Sequence, residues 1–204
     1  MFLALDTETT GLPDFRSPSD APQQPHLVQL AMILMDDDLV ERASVSVIIK
    51  PDGWVIPDEV AAIHGITTEM ALLLGVPEKQ AVDLYVSLMY GTGATAIAHN
   101  SDFDMRIMRI AMLRAGYDKE WQDARKPNAF CTMKNTINII NLPPTPKMIA
   151  AGFRKPKPPK LSECIQHFFG EELIGAHDAL VDVRACVRVY RHITTPVASL
   201  GDVI

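Results

Sequence analysis

The tightest constraint on this chain lies in its first residues. An apolar run, Phe2-Leu3-Ala4-Leu5, leads directly into Asp6 and, two positions later, Glu8. A short apolar run of this kind reads as a central strand, Phe2–Asp6, buried on both faces. Side chains two apart in a strand share a face, so both carboxylates can point at one place. Two acids held there without a cation would repel each other and lose hydration. The pair alone also has a plainer reading, in which Glu8 is a surface turn residue and Asp6 a cap.

Two later segments add further acids. The first is His99-Asn100-Ser101-Asp102-Phe103-Asp104, which follows a short apolar run. Asp104 falls in the first turn of a predicted helix, where a carboxylate also suits the helix dipole. Asp102 is the better capping residue, which leaves Asp104 for a site. Phe103 reads either as core packing or as a ring that stacks on a base. The second segment is Ala176-His177-Asp178-Ala179-Leu180-Val181-Asp182. Asp178 is a natural N-cap, and Asp182 lies one turn on, facing the sheet between Val181 and Val183. An acid on a buried helix face needs a partner, and a metal supplies one. His177 precedes the cap in a loop, where a neutral imidazole can accept a proton near neutral pH. Asp6, Glu8, Asp104 and Asp182 are therefore the candidate metal ligands, and these four with His177 the candidate catalytic set. Such a cage suits two hard divalent cations and metal-assisted cleavage of a phosphodiester.

The chain has 204 residues, enough for one α/β domain with a substantial core. With 48% hydrophobic and 22% charged residues it reads as globular. Its longest apolar runs are too short to span a bilayer, and no secretory signal is seen at the N-terminus. Cys131, Cys164 and Cys186 share no zinc-type spacing and read as reduced, buried thiols, which makes the expected location cytoplasmic. A net charge of −6 argues against nonspecific grip on long duplexes. It argues less against an enzyme that holds a few nucleotides at a strand end, where metals supply positive charge.

Pattern and punctuation give the order of elements. Pro13–Pro25 reads as a loop, Leu27–Met35 as a second strand, Asp36-Asp37-Asp38 as a solvated turn and Ala43–Lys50 as a third strand. Together with the first strand they form an antiparallel meander. Pro57–Ile63 and Pro77–Tyr90 are predicted helices, the second ended by Gly91. Thr95–Ala98 is a fourth strand. A helix over Asp102–Ala115 follows, capped by Ser101 or Asp102 and stopped at Gly116. Ala129–Thr132 is a fifth strand, and Leu161–Phe169 and Asp178–Tyr190 are the last helices. Leu142–Lys160 holds six prolines and a basic group (Arg154, Lys155, Lys157, Lys160) and is expected to be an irregular surface loop. It reads either as a solvated linker or as a basic arm that guides a single strand or meets a partner. The expected fold class is α/β, a sandwich around a mixed five-stranded sheet. One domain is expected over 1–192, with a short tail over 193–204.

These motifs resemble a known family. Asp6-x-Glu8, His99-Asn100-x-x-Phe103-Asp104 and His177-x4-Asp182 are similar to the three motifs of the DEDDh branch of 3′–5′ exonucleases, and Ile63-His64-Gly65-Ile66-Thr67 resembles its helix-to-loop element after the third strand. The similarity runs from Phe2 to about Tyr190. It implies a ribonuclease-H-like three-layer fold with helices on both sheet faces. It also implies two Mg²⁺ ions, replaceable by Mn²⁺, held by Asp6, Glu8, Asp104 and Asp182, with His177 as general base. The product would be a nucleoside 5′-monophosphate. The resemblance further implies substrate contacts from Thr7, Thr9, Thr10, Gly11, Leu12, His64, His99, Asn100 and Phe103, with Leu12, His64 and Phe103 wedging or stacking against bases. Single-stranded or frayed DNA 3′ ends are the expected substrate, since the wording of the first motif resembles the proofreading and repair branches. An RNA-end trimmer is the alternative, and an inactive binding module a further one. A DNA polymerase or another replication or repair protein is a possible partner, although no extended polymerase-binding tail is seen after Tyr190, which sets a stand-alone exonuclease beside the proofreading type.

Overall fold

The computed structural model describes residues 1–195; the greater part of the expected C-terminal tail, 196–204, lies outside them. The strands are β1 (Phe2–Thr9), β2 (Leu27–Met35), β3 (Glu41–Ile48), β4 (Thr95–Ala98) and β5 (Ala129–Cys131). They form one sheet in the order β3-β2-β1-β4-β5. β1 pairs antiparallel with β2, and β2 with β3, as a meander. β1 pairs parallel with β4, and β4 with β5, so the sheet is mixed as expected.

The helices are α1 (Asp58–His64), α2 (Thr68–Leu74), α3 (Glu78–Tyr90), α4 (Ser101–Arg114), α5 (Lys119–Ala124), α6 (Thr132–Ile140), α7 (Pro146–Ala150), α8 (Leu161–Phe169) and α9 (Ala179–Thr194). Strand alternation sorts the core into two layers. Leu3, Leu5, Leu30 and Met32 face α3 and α4 through Val82, Tyr85, Ile107, Met108 and Ala111. Ala4, Ala31, Ile33, Met35 and Ile97 face α9 through Val183, Cys186, Val187 and Tyr190. β2 is buried at every position because both of its faces are covered, which is why it reads as one unbroken apolar run. Cys131, Cys164 and Cys186 are free and buried.

Several local expectations are corrected. α4 begins after Asn100, which adopts φ 74° and makes no side-chain cap bond, so neither Ser101 nor Asp102 is the cap. Asp102 pairs instead with Lys134 at 2.6 Å. The 142–160 segment is not wholly irregular, because it contains α7. Thr145 caps that helix by accepting from the Met148 N–H at 3.2 Å. Pro146 sits in its first turn, where no N–H is needed, so this proline starts a helix rather than breaking one. The fifth strand ends at Cys131, and Thr132 opens α6, a helix the pattern did not announce. The last helix runs to Thr194, one turn past its expected end at Tyr190.

Candidate active site

The C-terminal end of β1 is where the two helix layers meet. Asp6 and Glu8 leave the strand on the Ala4 side, toward α9. Thr7 leaves on the opposite side and donates its hydroxyl to Asp104 Oδ1 at 2.9 Å. Asp104, only 2% exposed in the first turn of α4, is thereby brought to the end of β1. Asp182 is also buried, in the first turn of α9. Its Oδ2 accepts the His177 N–H at 2.9 Å, while Asp178 caps the helix by accepting from Leu180 and Val181. His177 has φ 72°, an unusual backbone for a residue with a Cβ, and its ring is exposed beside the acids. The structure thus gathers all five predicted catalytic residues around one strand end. Glu8, His177 and Asp182 offer ligand atoms within 4.8 Å of one another.

The electrostatics of the four acids suit a site that binds positive charge. Burial first, then the charges of Asp104, Asp182 and Glu8, hold the Asp6 carboxyl well above the usual carboxylate range. Burial and the nearby Asp182 and Asp104 push Glu8 up to about 8. Burial pushes Asp104 up to about 7 against the opposing pull of the Thr7 hydroxyl. Burial also raises Asp182, opposed by the His177 N–H. Carboxylates this reluctant to ionise together are stabilised by a cation, and an all-oxygen set beside one imidazole fits hard divalent ions.

The expected substrate residues divide into groups. Leu12, Asn100 and Phe103 come together with Pro13, Phe15 and Asp102 around a groove of about 500 Å³ next to the site. Leu12 is 87% exposed at its rim. His64 is half-buried, close to the Thr9 backbone and to His177. Its Nδ1 accepts the Ile66 N–H at 3.2 Å, so its proton sits on Nε2, a buried atom beside the Thr9 backbone. Thr9 and Thr10 are used within the fold. The Thr9 hydroxyl donates to Gly11 O at 2.7 Å, and Thr10 Oγ1 accepts from the His26 N–H at 2.9 Å. Both ring nitrogens of His99 are also engaged, Nδ1 with the Thr132 hydroxyl at 2.9 Å and Nε2 with Pro159 O at 3.0 Å. His99 therefore ties the end of the 142–160 segment to the start of α4.

Two supporting residues were missed in the sequence. Gln29 lies opposite Glu8 in the sheet. Its Oε1 accepts the Ala179 N–H at 3.3 Å and its amide donates to Ser46, which pins the start of α9 beside Glu8. A glutamine inside the apolar run Leu27–Met35 was the available signal. Thr132, fully buried, holds His99 and carries no sequence signal of its own.

A family model described as "Exonuclease" (RNase_T) matches residues 3–190. A sequence comparison with curated proteins finds no match. Among solved structures, the fold is similar to that of E. coli exonuclease I in complex with a dT13 oligonucleotide, with a TM-score of 0.74 and 22% identity, over 95% of this chain and 41% of that one. The zinc-ion-bound form of the E. coli exonuclease I–single-stranded DNA complex gives a TM-score of 0.73 at 21% identity, over 97% and 41% of the two chains. This chain therefore spans about two fifths of the length of those proteins. The likeness is one of fold, and it agrees with the three-layer ribonuclease-H-like arrangement. The match over nearly the whole chain decides the family: this protein belongs to the RNase T family of exonucleases, within the DEDDh superfamily that its three motifs resemble.

Proposed function

We propose that this chain is a metal-dependent 3′–5′ exonuclease that releases nucleoside 5′-monophosphates from single-stranded or frayed DNA 3′ ends. The observation that carries the reading is the convergence of Asp6, Glu8, Asp104 and Asp182, each held above its ordinary pKa. These four would hold two divalent cations, Mg²⁺ or Mn²⁺. Bound there, the cations would supply Lewis acidity toward a water and charge stabilisation at the phosphodiester. The remaining work falls to the chain itself. His177, exposed beside Glu8 and Asp182, takes the proton from the attacking water. The Thr7 hydroxyl orients Asp104, and the Asp182 carboxylate fixes the His177 backbone. Leu12, Asn100 and Phe103 seat the last nucleotides in their groove. His64, half-buried beside His177, would contact the bound strand next to them.

DNA is favoured by the wording of the first motif, and the E. coli exonuclease I complexes with dT13 and dA16 oligonucleotides are consistent with it. The 142–160 arm supports a single-stranded substrate. It carries five cations and no acid in a chain whose net charge is −6. Among the described residues only Lys157 of these pairs with a carboxylate, Glu163 at 2.6 Å. The same arm is the surface on which a replication or repair partner would be sought. RNA trimming is the second reading, favoured by the ribonuclease in the name of the matching family. No helix among the described residues is long and apolar enough to cross a membrane, and a cytoplasmic location is part of this proposal.

The test is digestion of a 5′-labelled single-stranded DNA oligonucleotide with Mg²⁺, beside the same sequence as RNA and an Asp6→Ala control. A ladder that shortens from the 3′ end of DNA and is absent from the control is expected. Degradation of RNA alone would move the enzyme to the RNA-trimming reading, and cleavage of neither would refute both.

A further inference from the structure

A second polar cavity, of about 540 Å³, lies outside the carboxylate site, between the start of β2, the loop after β3, the N-terminus of α3 and the C-terminal end of α4. His26, Lys50, Trp54, Glu78 and Arg114 line it, and none of them takes part in the proposed cleavage. Its size is that of a small-molecule pocket. Three features suit it to a particular ligand. First, His26 and Trp54 stack with ring centroids 4.6 Å apart and planes 9° from parallel, which makes a flat wall. Second, Glu78 Oε1 and His26 Nδ1 are both buried with no hydrogen-bond partner. Buried polar atoms in native folds are nearly always satisfied, so two orphans in one cavity point to something that completes them. Third, the cation whose charge reaches both groups, Arg114, is already used: it donates to Pro25 O at 2.7 Å and Gln24 O at 2.6 Å.

The chemistry of the orphans narrows the occupant. Burial and the Arg114 charge push His26 down to about 4, so its ring is neutral at working pH and Nδ1 offers one hydrogen bond. Glu78, pushed up to about 6 by burial, is ionised above neutral pH and only accepts. The ligand needs a planar ring, a pair of adjacent N–H donors for a carboxylate, and an anionic group for Lys50, which is exposed at the rim. A guanine nucleotide has all three. A thymine nucleotide presents a single N–H between two carbonyls, which the Glu78 carboxylate repels.

We propose that this cavity is an accessory nucleotide site that reads a guanine-type donor edge with Glu78, places the base against the Trp54–His26 pair and takes a free nucleoside 5′-monophosphate. The nuclease reading enters only as the source of that ligand. The site also touches the catalytic strand: His26 accepts the Thr10 N–H at 3.0 Å and donates its own N–H to the Thr10 hydroxyl, two residues beyond Glu8. Occupancy is thereby connected to the first motif.

The experiment titrates dGMP and dTMP into the protein in EDTA, so that no metal draws phosphate to the carboxylates. The chain has two tryptophans, and a Trp121→Phe background leaves Trp54 as the fluorescent reporter. Saturable quenching by dGMP is expected, with affinity about tenfold above that for dTMP, the scale of one charge-assisted pair. Glu78→Gln should erase the preference, and because it removes a buried charge without changing shape it does not threaten folding. Equal binding of the two nucleotides, no response from Trp54, or an unchanged preference in Glu78→Gln would overturn the site and leave water as the occupant. A protein that binds dGMP in this way but fails to cut DNA would refute the nuclease reading and leave the site standing. A protein that cuts DNA and binds neither nucleotide would do the reverse.

Discussion

Replacing Asp104 by asparagine should make the metal-free protein more stable, although it removes a proposed metal ligand. Asp104 is 2% exposed, and burial pushes its pKa from 3.8 to about 7. The folded metal-free protein therefore holds this proton more tightly than the unfolded chain does. Ionisation costs stability from about pH 4 upward, and the full cost is present above pH 7. Three units at 1.36 kcal/mol each give about 4 kcal/mol at pH 8. The neighbouring carboxylates raise one another and redistribute protons when one is removed, so about half of that, roughly 2 kcal/mol, is the expected gain. The Thr7 hydroxyl donates to Asp104 Oδ1 at 2.9 Å, and an asparagine oxygen can accept the same bond. For a chain of this size, thermal unfolding in EDTA at pH 8 should rise by about 4–8 °C. The gain should shrink by more than half at pH 5, where the wild-type carboxyl is already protonated in the fold. With Mg²⁺ the order should reverse, because only the wild type keeps all four ligands. An Asp104→Asn protein that melts at or below the wild type in EDTA at pH 8 would refute the claim that this carboxylate is held against the cost of burying its charge.

Two further substitutions separate chemistry from support. His177→Ala should leave the metal-free melting temperature unchanged, since the ring is exposed, and lower turnover by about 10²–10⁴, the usual worth of a positioned general base; undiminished turnover would remove His177 from the mechanism. Thr7→Val keeps volume but deprives Asp104 of its buried donor. It should destabilise by about 1–3 kcal/mol at pH 8, where the carboxylate needs the bond, and by less at pH 5, as read from chemical unfolding at the two pH values.

The parts of this fold that the sequence announces are those where one local rule dominates. β2, β4 and α8 appear at their expected limits because unbroken burial, or a helical apolar face ended by glycine, admits few other shapes. Two of the elements that were missed, α6 and α7, are ones where two rules compete. Pro146 reads as a breaker until its place one residue after a capping threonine makes it a helix starter. Thr132 reads as a strand residue because β-branched side chains favour strands, yet it opens α6 and spends its hydroxyl on His99. The candidate site was legible for a different reason. Acids beside apolar residues are costly wherever they fall, so their clustering in three segments already asks for a common counter-charge. Spacing could not reveal how they are held. The Thr7–Asp104 bond spans 97 positions and the Gln29–Ala179 bond 150, and nothing local marks either partner.

That geometry also explains why the site needs the whole sandwich. Asp6 and Glu8 point to the α9 side of the sheet, where Asp182 waits in the first turn of that helix. Asp104 arrives from the opposite layer, in the first turn of α4, and reaches the strand end through Thr7 on the other face of β1. The four proposed ligands thus come from a central strand and from one helix on each side. They meet only because β1 is flanked on both faces, and because both helices begin where it ends. The α9 side brings three acids and His177 together, and the α4 side adds one acid, so a site for two ions draws on both layers. Binding of two ions at the proposed ligands would link the docking of α4 to that of α9, since the free energy of binding would be available only to the state in which both are in place. The repulsion that weakens the metal-free strand end is the same quantity that makes the bound state tight, so the stability lost by the apo protein and the affinity gained for the ions should rise and fall together across substitutions at these four positions.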